Sequence, residues 1–386
     1  MNRKFSKKRI IIFSAIPILF FLFILEFGVR IFWEFEPNRV LCYHPVMGRS
    51  YCPETKGFLT ENKIKMHVEV NADGLLGKPY PVERVPGKYR IALLGDSFTS
   101  AEAVAPELKF AGVWEKDLSG KVPGGVEVIN FGVGGTGTWQ QMQMFYVKAR
   151  KYKPDLTVVA FCWCNDVGNN IDKFKSGDMS PLLGEYEVGL FKLFQAKRKN
   201  FNKWLWNNSA LYQFTRTKYN HLEHYFKRMF LPDYMKTAPE VKDAPKNKKA
   251  GVKEKPTVPP EYKEDTVSIF DDLFFFDSEG WGLTRKLFVK LNQEVQSNGG
   301  KLAVIHFGGA HQYRNFPVLP LKQFDNFLGS QGIDHFNAFD LFVKIDDEFL
   351  MQNFIPNDGH FSENGHRHFA EFSSNFLLSL VNKSKD

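Results

Sequence analysis

Ser97 stands in Gly95-Asp96-Ser97-Phe98-Thr99, directly after the short apolar run Tyr89–Leu94. A serine hydroxyl attacks a carbonyl only when a base takes its proton and donors hold the oxyanion that forms. The chain offers a candidate for each part. Gly135 lies in Asn130-Phe131-Gly132-Val133-Gly134-Gly135-Thr136-Gly137-Thr138, where bare backbone can approach a substrate and aim an N–H at it. Asn165, followed by Asp166, comes just after the apolar run Leu156–Cys162, and its side-chain amide is a donor for an oxyanion. His360 lies in Asn357-Asp358-Gly359-His360. An aspartate two residues before a histidine can orient the ring and stabilise its protonated form, which makes Asp358 the candidate orienting acid.

Taken singly, each signal has an ordinary structural explanation. Ser97 reads equally as a helix-capping serine, Asn165 as a strand-end Asx turn and His360 as a surface-loop histidine. The glycine run lacks the Gly-Lys-Ser/Thr ending of a phosphate loop. Asp96, Gly134 and Asp166 adjoin the candidates and, with His306 and His311, are candidates to line a pocket. His366 and His368 read as helix-face residues, with Ser362 as the cap of that helix. Cys42 and Cys52 are spaced for a disulfide or two free thiols. Cys162 and Cys164 are too close for a zinc knuckle and have no second pair, so no metal site and no cofactor are expected.

The elements that must position these residues follow from the hydrophobic pattern. Tyr89–Leu94, Val126–Asn130, Leu156–Cys162 and Leu302–Phe307 read as buried strands. Between and after them Ala105–Leu118, Trp139–Lys151, Leu283–Ser297 and Ser362–Asn382 read as helices. Apolar strands alternating with helices imply an α/β fold with a parallel sheet covered on both faces. Active sites of such sheets lie beyond the carboxyl ends of the strands, where Ser97, the glycine run and Asn165 all fall. Residues 170–282 break the alternation. Leu190–Met229 is aromatic, basic and helical in pattern, and 236–265 is a Lys/Pro-rich mobile linker. The whole stretch is expected to form a cap over the site, with a peripheral decoration as the alternative.

The chain has 386 residues, enough for one large α/β domain with an insertion. Its 39 Phe sit largely in short apolar runs that suit core and lid packing. The net charge of +8 comes mainly from the N-terminal tip and the Lys-rich stretch, not from a basic stripe interleaved with aromatics, so nucleic acid is not an expected partner. Residues 1–9 form a basic tip. The chain is then uncharged from Ile10 to Leu25, slightly short of the roughly 20 residues that cross a bilayer core. Glu26 and Arg30, four apart on a helix, can pair and let the span extend, giving an anchor over 10–33. A cleaved signal peptide is the rival, but no small-x-small cleavage site follows. The positive-inside rule puts the tip in the cytoplasm and everything after residue 35 outside, the periplasm in a Gram-negative cell. Residues 36–88 form a lead-in that packs on the edge of the main domain, residues 89–386.

The joint order of serine, glycine, asparagine and Asp/His resembles the SGNH (GDSL-type) hydrolase family, over residues 71–170 and 280–380. The likeness is to its bacterial branch with an N-terminal membrane helix, through Asn71-Ala72-Asp73-Gly74, RIALLGDSFTSAEAV, NFGVGGTGTWQQ and DGHFSENGH. The resemblance implies a three-layer α/β/α sandwich of flavodoxin-like kind. It implies Ser97 as nucleophile, His360 as base, and an oxyanion hole of the Ser97 and Gly135 N–H groups with the Asn165 amide. Two departures stand out. Trp163 and Cys164 replace the glycine usual before Asn-Asp. Asn357 replaces the aspartate of Asp-x-x-His, leaving Asp358 in an Asp-x-His arrangement like that of polysaccharide O-acetyltransferase relatives. The expected activity is removal of O-acyl groups, O-acetyl foremost, from a cell-envelope carbohydrate. The alternatives are an O-acetyltransferase, a lipid esterase and a non-catalytic envelope scaffold. The expected partners are an acylated carbohydrate or lipid and, through the helix, the bacterial cytoplasmic membrane.

Overall fold

The uncharged N-terminal run folds as one helix, α1 (Lys7–Phe32). Over Phe13–Phe32 its mean hydropathy is 2.2 and its apolar side chains are largely exposed. That is long and apolar enough to cross a bilayer, a test that a signal sequence also passes. The computed structural model describes residues 7–33, 35, 40–61, 64–175, 190–230, 278–310, 312, 318–339, 341, 351–356 and 358–384. The expected linker 236–265 lies outside these residues, as do His311, Asn357 and positions 176–189 and 231–277 of the expected cap.

The lead-in forms two antiparallel hairpins, β1 (Leu41–His44) with β2 (Gly48–Tyr51), and β3 (Lys56–Glu61) with β4 (Ile64–Glu69). A Cys42–Cys52 disulfide staples the first hairpin. Arg84, past the second hairpin, grips Asp155 through two bonds of 2.8 and 2.7 Å, and so ties the lead-in to the domain.

The four apolar runs are strands, as their pattern predicts. The first is β5 (Tyr89–Gly95), buried at every position. It runs into the single turn α2 (Ser97–Ser100), followed by α3 (Phe110–Ser119) and β6 (Val126–Asn130). Next come α4 (Thr138–Val147), β7 (Leu156–Cys162) and α5 (Asp166–Lys175). The insertion supplies α6 (Leu190–Asn208) and α7 (Ala210–Phe230). The domain closes with α8 (Glu279–Ser297), β8 (Lys301–Phe307), α9 (Val318–Ser330), β9 (Asp334–Asn337) and α10 (Glu363–Lys383). Ser362 caps α10, its hydroxyl accepting the Gly365 N–H at 3.3 Å.

The sheet is wholly parallel, in the order β6-β5-β7-β8-β9. α3 and α10 pack together on one face, and α4, α5 and α8 on the other, giving the three-layer α/β/α arrangement. The chain leaves β5 toward β6 on one side and returns to β7 on the other. The switch point of the topology therefore lies at the carboxyl end of β5, where crossovers part and leave a crevice. Ser97 follows that strand.

By its internal contacts the chain divides into two units, Met1–Pro37 with Asn202–Thr266, and Asn38–Phe201 with Val267–Asp386. Within the first, Glu26 of α1 pairs with Arg30 at 2.7 Å, as the spacing predicts. It also accepts the Ser209 hydroxyl at 2.7 Å and the Ala210 and Leu211 N–H groups at 2.8 and 2.9 Å, capping α7.

Candidate active site

Gly95 ends β5 because no side chain fits there: a Cβ would lie 2.0 Å from Thr99 Oγ1. Asp96 then caps α2, its carboxylate accepting the Phe98 N–H at 2.9 Å. This turn presents Ser97 beyond the sheet. His360 Nε2 lies 2.7 Å from Ser97 Oγ. On the other side of the ring, Nδ1 bonds the nearly buried Asp358 carboxylate, which also accepts the His360 N–H at 3.0 Å. Asp358 can fold back on its neighbour because Gly359 between them takes φ +87°, and the Asp358 and Gly359 N–H groups both close onto the Ile355 carbonyl. With Nδ1–H donated to the carboxylate, the Nε2 lone pair faces the serine. Phe98 packs on the imidazole at 4.7 Å between centroids and holds its plane.

The glycine run is stitched to the same strand end. The Phe131 N–H donates to Leu93 O at 2.8 Å and the Val133 N–H to Gly95 O at 3.2 Å. Asn130 donates to Thr99 O at 2.7 Å and accepts the Gly132 N–H at 2.8 Å. These bonds press Gly132 against α2, where a Cβ would lie 2.7 Å from the Ser100 nitrogen, and bring Gly134 to 3.6 Å from Ser97 Cβ by the same measure. Gly135 takes φ +70°. The backbone N–H groups of Ser97 and Gly135 donate to no described group and are free to bind an oxygen at this site. Asn165 follows β7 and lies near Asp96, whose pKa its amide helps to hold down.

Two carboxyl groups lie behind the serine. Burial raises the pKa of Asp96 to about 6, opposed by the Asn165 amide and the Phe98 N–H. Burial, and then the charge of Asp96, raise Asp166 well above the usual carboxylate range. Asp166 accepts the Cys162 N–H at 3.0 Å and Gln141 at 3.2 Å, so it fixes the β7–α5 turn that carries Asn165. Neither carboxyl opens to solvent. An Asp96 oxygen and the sulfurs of Cys162 and Cys164 lie within 4.8 Å of one another, but the sulfurs are joined in a disulfide and offer no thiolate to a metal.

The other histidines take structural places. His366 is buried, stacks on Phe110 and accepts its N–H at 3.3 Å; burial lowers its pKa to about 3. His368 bonds Asn353 at 2.7 Å on the α10 face. His306 does not open onto the site: it is fully buried on β8 between Trp163 (3.2 Å) and Asp325 (2.7 Å). Its place in an apolar strand could have signalled this. Sequence reasoning missed Asn130, which sets the loop, and the Tyr51–Glu102 hydrogen bond, which joins the first hairpin to the Ser97 loop. Contacts between residues so far apart in sequence leave no local pattern.

A space of about 10 Å³, room for one water, lies at Ser97, His360, Phe98 and Met66. It shares Met66, Glu102, Ala103 and Val104 with a cleft of about 850 Å³ along β4. A further cavity of about 250 Å³ adjoins Gly135.

No family model matches the chain, and no curated protein matches it. Among solved structures it is similar to a lipolytic protein of the G-D-S-L family from Desulfitobacterium hafniense DCB-2, at 11% identity and TM-score 0.36, over 74% of this chain and 98% of that one. A lipase/acylhydrolase from Enterococcus faecalis is 13% identical with TM-score 0.38, over 75% and 96%. An acetyl xylan esterase is 12% identical with TM-score 0.37, over 76% and 99%.

Proposed function

We propose that this protein is a serine esterase of the SGNH type that removes O-acyl groups, O-acetyl foremost, from a carbohydrate of the cell envelope. The observation that carries the proposal is the 2.7 Å approach of His360 Nε2 to Ser97 Oγ, with Asp358 on Nδ1 of the same ring. In this reading His360 takes the Ser97 proton as Oγ bonds the ester carbonyl carbon. The oxyanion is held by the Ser97 and Gly135 N–H groups and the Asn165 amide. The carbonyl carbon–sugar oxygen bond then breaks, and the sugar hydroxyl leaves with the proton from His360. Water attacks acyl-Ser97 by the same route in reverse, releasing the carboxylic acid and restoring the serine. Asp358 stabilises the imidazolium in both halves without taking its proton.

The cramped space at Ser97 supports a short acyl group over a long chain. α1, with its basic tip, supports a place at the cytoplasmic membrane with the catalytic domain outside, among envelope polymers.

The test is labelling of the full chain with a serine-reactive fluorophosphonate, alongside hydrolysis of p-nitrophenyl acetate. Label on Ser97 is expected, with label and turnover both lost in Ser97→Ala and His360→Ala. A folded parent that neither labels nor hydrolyses the ester would overturn the proposal. With an acetyl-labelled oligosaccharide, free acetate is the expected product. Acetyl recovered on an added sugar would reassign the chemistry to transfer.

A further inference from the structure

Apart from Gly135 itself, the cavity beside Gly135 is lined by residues that the proposed reaction does not use. Its walls are the β1–β2 hairpin, α4 and the first half of α6. Three of its lining side chains are basic, Arg49, Lys199 and His44, and no acidic residue lines it among those described. Among the described residues Arg49 forms no ion pair, and its buried Nε has no partner. A buried guanidinium nitrogen without an acceptor costs free energy that a solvated surface arginine does not incur. Lys199 stands over the Tyr43 ring at 4.5 Å. The Nδ1 of His44 accepts the Val46 and Met47 N–H groups at 3.2 and 3.3 Å, which leaves Nε2–H as a donor on a neutral ring. Gln140 gives its carbonyl to the Gly137 N–H at 3.0 Å. Its amide NH₂ is thereby the part left to bind a ligand.

The cavity touches the catalytic loop. A Cβ on Gly134 would lie 3.6 Å from Ser97 Cβ, and one residue on, a Cβ on Gly135 would lie 3.5 Å from Arg49 Nη1. The guanidinium is therefore held one residue along the loop from the nucleophile. Its position is fixed in advance: the Cys42–Cys52 disulfide closes the hairpin, Tyr51 bonds Glu102, and Asn200 of α6 pairs with both backbone groups of Tyr43 at 2.9 Å. A rigid cationic pocket loses little on binding an anion.

We propose that Arg49 and Lys199 form a subsite for the carboxylate of an acidic sugar, so that the carbohydrate is a uronate-containing glycan. Arg49 takes the carboxylate through its terminal N–H donors, Nη1 lying on the Gly135 side of the cavity, and Lys199 adds a second charge. This rests on the esterase reading for its choice of a carbohydrate, but its test does not need turnover.

The experiment measures equilibrium binding of a short oligogalacturonate to the full-length Ser97→Ala protein in detergent, beside the same oligosaccharide with its carboxyl groups reduced. The charged form is expected to bind at least about tenfold more tightly. Arg49→Gln and Lys199→Gln, on separate elements, should each remove most of that difference while binding of the reduced form stays as it was. Equal binding of the two sugars, or a preference that survives both substitutions, overturns the subsite. If p-nitrophenyl acetate turnover by the parent fails while the charged sugar is still preferred, the esterase reading falls and the subsite stands. If turnover holds and the sugars bind alike, only the subsite falls.

Discussion

Asp358 holds His360 by ring and backbone at once, so one carboxylate fixes both the tautomer and the position of the imidazole. An amide in its place can keep one bond but not force the Nδ1–H tautomer. Asp358→Asn is expected to lower kcat by about 10²–10⁴-fold with little change in KM, measured on p-nitrophenyl acetate. A loss of less than a few fold would remove Asp358 from the reaction. Asp96 lies one residue from Ser97 and acts differently. Its folded pKa of about 6 stands above the ordinary 3.8. Its contribution to stability is therefore greatest below pH 3.8 and is lost as pH rises through 6, where the buried group must ionise. Asp96→Asn keeps a capping oxygen and removes that charge. Relative to the parent it should gain on the order of 2 kcal/mol of unfolding free energy at pH 8 and almost none at pH 4. An equal gain at both pH values, or none, would show that ionisation of Asp96 is not penalised. Ser97, His360 and Asp358 were legible in the sequence because each follows or precedes a recognisable element in a fixed order. Arg49, Asn130 and Glu102 were not, since their partners are remote and their types are common.

The apolar runs at β5, β6, β7 and β8 were legible as strands to within one residue, because a strand buried on both faces can carry few polar side chains. β9 was not: Asp334–Asn337 is a half-buried edge strand with no apolar run. α3 starts at Phe110, five residues later than its pattern suggests, since Lys109 before it takes an extended backbone (φ −64°, ψ 150°). Between the elements, glycines do two different kinds of work. At Gly359 nothing stands within 4 Å of a new Cβ, so Gly359→Ala meets only the cost of a left-handed backbone, about 1–2 kcal/mol. At Gly132 a Cβ would collide with Thr99 and with the backbone of Ser100. Gly132→Ala must push the glycine loop off α2. It should lose more thermal stability than Gly359→Ala and lower kcat as well, read from paired melting curves and p-nitrophenyl acetate kinetics. Equal losses would mean the loop yields freely, and a loop that yields cannot fix Gly135.

At the scale of the whole molecule, three features bear on where the domain works. Lys7, Lys8 and Arg9 precede the apolar span, which favours a cytoplasmic start for α1 and an outward exit. All four cysteines are joined, Cys42 to Cys52 and Cys162 to Cys164, a state that persists in oxidising compartments and is rare in the cytoplasm. Removal of the span as a leader would also strip α7 of its cap, since Glu26 holds the Ser209 hydroxyl and two backbone N–H groups there. The expected protein is thus an uncleaved, single-pass chain with both disulfides outside. Thiol alkylation of the membrane-extracted chain, before and after reduction, reads this directly, and the intact mass reports the N-terminus. No cysteine should react before reduction, all four should react after it, and residues 1–33 should be present in the mass. Free thiols before reduction would place the domain in the cytoplasm, and with it the proposed envelope substrate would have to be abandoned. Loss of the N-terminal residues with oxidised cysteines would instead keep the substrate and free the enzyme from the membrane, and α7 would then need another partner for its exposed N–H groups.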